Sequence, residues 1–129
     1  RYFPTGDQRL CAYSKATGKK SVAARLTLGE GERPAWFSID PEGGRAYRVE
    51  ELEDEVAVTG VLNAGIAVRY PKELGRFVTC VDDRYIVANY ILRDDKDSFE
   101  FNSVFDGKTG FQKSYECRCA VRGETVVLY

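Results

Sequence analysis

The chain has 129 residues, 43% hydrophobic and 30% charged, and its 19 basic and 20 acidic side chains leave a net charge of −1. That is the composition of one globular domain, residues 1–129, long enough to bury a core without staples. It excludes the basic surface that a nucleic acid or an anionic membrane would need, and no apolar run approaches the ~20 residues of a membrane-spanning helix.

In chain order, residues 1–6 (RYFPTG) read as a lead-in ended by Pro4 and Gly6. Residues 9–13 (RLCAY) alternate and predict a first strand carrying Cys11. A polar turn with Gly18 follows at 14–20. Residues 21–28 (SVAARLTL) put Val22, Ala24, Leu26 and Leu28 on one side at period two, a strand with one buried face. A loop at 29–34 leads to a strand at 35–39 (AWFSI), which holds the single Trp. The turn 40–44 (DPEGG) returns the chain into a strand at 45–49, so 35–49 predicts a hairpin.

The acidic stretch 50–55 (EELEDE) reads as a solvated connection into a β-branched strand at 56–62. A turn at 63–65 and a strand at 66–70 precede a loop or single helical turn at 71–75, stopped by Gly75. Residues 75–105 predict the central meander, three apolar β-favouring segments split by two charged turns. Its segment 85–92 (YIVANYIL) is apolar at both parities, so this strand is either sandwiched between two layers or lines a covered barrel. A hairpin loop at 106–110 (DGKTG), a strand across 111–121, a turn at 122–123 and a closing strand at 125–129 complete the count. Roughly ten short strands, without a helical period or an internal repeat, predict an all-β domain, a compact antiparallel barrel or sandwich.

The chemistry available is restricted. The chain has no histidine, which removes His-based triads, two-His zinc motifs and a His general base. Thiol catalysis loses its usual activating base for the same reason. Asp94, Asp95 and Asp97 lack the spacing of an EF-hand loop and read as a solvated hairpin tip that binds no metal. Asp82 and Asp83, before Arg84, read as a turn, and residues 29–31 (GEG) are not part of a phosphate loop. No residue pattern calls for a cofactor. A carboxylate pair running a hydrolysis stays as a minor alternative.

The chain has four cysteines and no Met, and it opens at Arg1. These features predict a mature secreted protein, or a trimmed piece of one, held by two disulfides. Cys117 and Cys119 are two apart in an expected strand, where their side chains share a face but are poorly placed to join. Each then reaches Cys11 or Cys80, either as Cys11 with Cys117 and Cys80 with Cys119 or as the crossed pairing.

Length, strand count and cysteine count resemble those of a lipocalin-like barrel, although Trp36 follows Pro34-Ala35 and no G-x-W signature is present. Residues 34–47 (PAWFSIDPEGGRAY) resemble a propeller-blade hairpin. Neither likeness assigns a family. The function expected is that of a secreted, non-catalytic binding protein, not an enzyme, that meets a protein partner through exposed loops, as an effector, inhibitor or host-interaction factor does. The alternative, implied by the lipocalin likeness, is a carrier of a small apolar ligand in an internal cavity. There Tyr85, Asn89 and Tyr90 would bring polarity into the most apolar run.

Overall fold

The computed structural model describes residues 6–28, 33–40 and 44–129. Most of the lead-in, residues 29–32 of the loop expected at 29–34 and residues 41–43 of the turn expected at 40–44 lie outside the described residues. The described chain is all-β, and its strands form four separate antiparallel sheets. β1 (Gly6–Tyr13) pairs with β2 (Lys20–Leu28). β3 (Ala35–Asp40), β4 (Arg45–Glu51), β5 (Glu55–Leu62) and β6 (Ala67–Pro71) form a four-stranded meander. A 3₁₀ turn, Lys72–Leu74, leads to a second meander of β7 (Arg76–Val81), β8 (Tyr85–Arg93), β9 (Ser98–Asp106) and β10 (Gln112–Tyr115). β11 (Cys119–Arg122) and β12 (Thr125–Leu128) make the last pair.

The four sheets stack in chain order, because each strand's period of two gives each sheet two faces to cover. Leu26 of β2 packs on Ala35 and Phe37 of β3. Tyr47, Val49 and Val58 of the first meander meet Phe77, Cys80 and Ile86 of the second, with Tyr70 and Leu74 closing the layer. On the far side of the second meander, Val87 and Val104 meet Val121 and Val126 of the last pair. β8 therefore lies between two layers, with Ile86 and Ala88 on one face and Tyr85 and Val87 on the other. Burying each large aliphatic or aromatic side chain contributes about 1.5–3 kcal/mol.

Local chemistry explains the breaks between strands. Asp82 and Asp83 both hold positive φ, 53° and 52°, and Arg84 N donates to Val81 O at 3.1 Å, the backbone of a primed hairpin turn. The Asp83 carboxylate accepts from Arg45 Nη1 at 3.3 Å and Gly65 N at 3.1 Å, tying this turn to the first meander. Pro71 sits in β6, an edge strand, where its missing N–H costs no ladder bond.

Two expectations are corrected. No barrel forms: the 3₁₀ turn after β6 ends the pairing, and β7 starts a new layer instead of joining the same sheet. The four cysteines are free thiols, so Cys11, Cys80, Cys117 and Cys119 staple nothing. The layering is the reason. Cys80 faces the layer between the meanders, and Cys119 packs on the other side of the second meander. The second meander itself therefore stands between Cys80 and Cys119. Cys11 belongs to the first sheet, at a bulge in β1. The strand expected across 111–121 also breaks at 116–118, which takes Cys117 out of any ladder.

Candidate functional site

The second meander is longer at one end than its cover. The last pair between β7 and β8 is Arg76 with Asn89, and the last between β10 and β9 is Tyr115 with Asn102. Beyond these, β8 and β9 continue alone through Tyr90–Phe101, Ile91–Glu100, Leu92–Phe99 and Arg93–Ser98. The result is a two-stranded arm that pairs with no further strand among the described residues. Residues 90–100 are exposed without exception.

Its composition is unusual for so exposed a ribbon. Tyr90, Leu92, Phe99 and Phe101 share one face, and this face is the continuation of the one that buries Ile86 and Ala88. Tyr90 is 42%, Leu92 45% and Phe99 47% exposed. The Tyr90 and Phe101 rings sit 6.4 Å apart, a cross-strand aromatic pair. The opposite face carries Ile91, 49% exposed, beside the polar Asn89, Glu100 and Asn102.

The root of the arm is built rigidly. Asn89 Nδ2 donates to Glu100 Oε1 at 2.9 Å and to Asn102 Oδ1 at 3.2 Å, and Asn102 Nδ2 donates to Cys117 O at 3.0 Å. Gly75 presses against the Asn89–Tyr90 backbone with φ 112°, a conformation that glycine alone adopts freely. The Tyr70 hydroxyl donates to Gly75 O at 3.0 Å. The tip is a tight turn in which Asp94 N donates to Asp97 O at 2.9 Å and Asp95 N to Asp94 Oδ1 at 2.7 Å. The expected hairpin tip at Asp94, Asp95 and Asp97 is therefore formed.

A groove of about 480 Å³ runs along the β8 side of this root. Lys72, Gly75 and Arg76 form one wall, Glu51 and Val56 contribute from the first meander, and Asn89, Tyr90 and Ile91 form the other wall. Lys72 Nζ donates to Leu52 O at 3.3 Å. Arg76 has no ion pair among the described residues. The groove is open to solvent, and the layers on either side of β8 are filled by side chains.

Of the three residues singled out in the sequence, the structure brings Asn89 and Tyr90 to one groove and leaves Tyr85 out. Tyr85 lies five residues back along β8, about 17 Å away, under the Arg84 guanidinium at 4.8 Å and in the layer facing β11. The sequence reading missed Asp106. It is 3% exposed and holds Arg84 through two bonds of 3.0 and 2.8 Å. It also accepts from Lys108 N and Thr109 Oγ1, each at 2.9 Å. The Arg84 bonds, with those from Lys108 and Thr109, hold its carboxyl well below the usual carboxylate range despite burial. The turn sequence Asp-Gly-Lys-Thr-Gly was the available signal: an Asp there caps its own loop. The constellation is structural, since every oxygen is already engaged.

No protein-family model, no curated protein and no solved structure matches the chain.

Proposed function

We propose that the protein is a non-catalytic binding module that takes a protein partner on the β8–β9 arm. One observation carries the reading: the apolar face of β8 and β9 continues past the sheet that covers it, leaving Tyr90, Leu92 and Phe99 in water. A two-stranded ribbon is marginal by itself in water, and a contiguous exposed apolar face marks an interaction surface. Aromatic and aliphatic anchors are what a protein interface uses for its central contacts. The carrier alternative draws less support, because it needs an enclosed interior and the sheets stack instead of closing. The expectation of placement outside the cell rests on the cysteine count together with the missing Met and the opening at Arg1, and free thiols remove the first of these supports.

The test is native mass spectrometry of the protein from its natural source, beside a double variant Leu92→Asp with Phe99→Asp. Both positions are exposed, so the variant keeps its far-ultraviolet circular dichroism. A protein that co-purifies with the wild type and is lost from the variant supports the arm. A partner retained by the variant refutes it, and a small molecule recovered instead favours the carrier.

A further inference from the structure

Resting on the arm as the binding element, we infer that the unpaired edge of β8 at residues 91–93, past the contact with Gly75, accepts an extended segment of the partner as an added strand, with an acidic side chain of that segment seated against Arg76. Three observations point there. The groove is lined by consecutive residues Asn89, Tyr90 and Ile91. Successive side chains of a strand point to opposite faces, so three in a row line one groove only where the strand is seen edge-on. What the groove exposes is thus the β8 backbone.

Next, that backbone lacks a neighbour. β7 ends its ladder at Arg76 opposite Asn89. Past that point every second residue of β8 turns its N–H and C=O away from β9 toward the groove. An unpaired edge of this kind is a template for a further strand, and strand addition is a recurring mode of peptide recognition. Gly75 and the 3₁₀ turn prevent the chain's own β7 from filling it, because the backbone at Gly75 is already pressed on Asn89 and Tyr90.

The charges select the occupant. Lys72, Arg76 and Glu51 all line the groove, but Lys72 also borders Glu53, Asp54, Glu55 and Glu73, so Arg76 is the cation left to an incoming carboxylate. Arg76 is exposed and has no ion pair among the described residues, so its planar fork is available to a carboxylate. Beyond Arg76, Tyr90 and Leu92 on one face and Ile91 on the other offer contacts for alternating apolar side chains of the added strand.

The probe is a displayed library of random twelve-residue peptides, selected on the whole protein. Enriched sequences should alternate apolar residues and carry Asp or Glu. Amide hydrogen exchange of the best synthetic peptide's complex should show slowed exchange within residues 91–93 of β8, at the amides that face the groove, and no slowing at residues 98–101 of β9. Arg76→Glu, at an exposed position, should weaken that peptide about ten-fold or more. Peptides that depend on Leu92 and Phe99, yet ignore Arg76 and leave the β8 amides unprotected, would overturn the edge site while sparing the arm. Peptides insensitive to Leu92→Asp and Phe99→Asp, or no enrichment at all, would overturn both.

Discussion

Replacing Gly75 by Ala perturbs the junction on which the arm stands. The native backbone there has φ 112° and ψ −166°, a region essentially reserved to glycine. Holding an alanine in it costs about 1–3 kcal/mol. The added Cβ would also overlap the Asn89 carbonyl oxygen and come within 2.9 Å of Tyr90 N. Both belong to backbone, so no side chain can rotate aside, and relieving the overlap costs roughly another 1–3 kcal/mol. Alanine restricts the unfolded chain and returns about 0.4–1 kcal/mol. The balance is a loss of roughly 3 kcal/mol, a large share of the ~5–15 kcal/mol that holds a domain together. Urea unfolding followed by Trp36 fluorescence reads it, since Trp36 packs against the layer between the meanders. Gly110→Ala serves as a control for a positive-φ glycine without a neighbour. It also has positive φ, 76°, but its Cβ meets nothing within 4 Å, so it carries the conformational cost without the collision. If Gly75→Ala loses less than ~1 kcal/mol, or no more than Gly110→Ala, the close approach of Gly75 to β8 is not what positions the arm.

Three further outcomes follow from the same contacts. Tyr70→Phe removes the hydroxyl that donates to Gly75 O from a fully buried ring and should cost about 1 kcal/mol in the same urea assay; no change would mean that this bond is not held in solution. Asp106 has its pKa lowered in the fold by Arg84 and the turn donors, so its contribution is complete above the unfolded pKa near ~4 and fades as pH falls below it. Asp106→Asn should therefore be less stable than wild type at pH 7, with the gap narrowing below pH ~4; a gap constant across a pH titration of thermal unfolding would refute the linkage. Burial pushes the Cys80 thiol up to about 12, so at pH 8 iodoacetamide should label Cys80 only after denaturation; a disulfide-linked peptide containing Cys80 in an unreduced digest would overturn the free-thiol layer.

Much of the fold was legible because turn chemistry and period-two patterning agree. Residues 85–92 are apolar at both parities, and β8 is covered on both faces over its first half. The loop at 106–110 and the turn at 82–83 fall where Asp and Gly place them. The break at 116–118 was not legible, because neither Gly nor Pro lies between Tyr115 and Cys119. Long-range bonds make that break: Asn102 holds Cys117 O, and Arg118 exchanges two backbone bonds with Tyr129. The cysteines misled because an even count suggests pairing, whereas Cys80 serves as a small buried hydrophobe between two sheets.

The candidate site was hidden for a different reason. Residues 86–88 and 90–92 are alike in composition, yet Ile86, Val87 and Ala88 are buried while Tyr90, Ile91 and Leu92 are exposed. What separates them is where the covering layers stop, and that is set elsewhere in the chain, by the bend between β4 and β5 and by the 3₁₀ turn at Lys72–Leu74. A strand does not encode the length of its neighbours. The arm's charges accord with the added strand proposed above. Asp94, Asp95 and Asp97 crowd the tip, where like charge opposes edge-to-edge stacking of copies. The root carries Arg76, of opposite sign, beside the open backbone. Repulsion at the tip and attraction at the root together favour a strand that enters from the groove with a carboxylate leading.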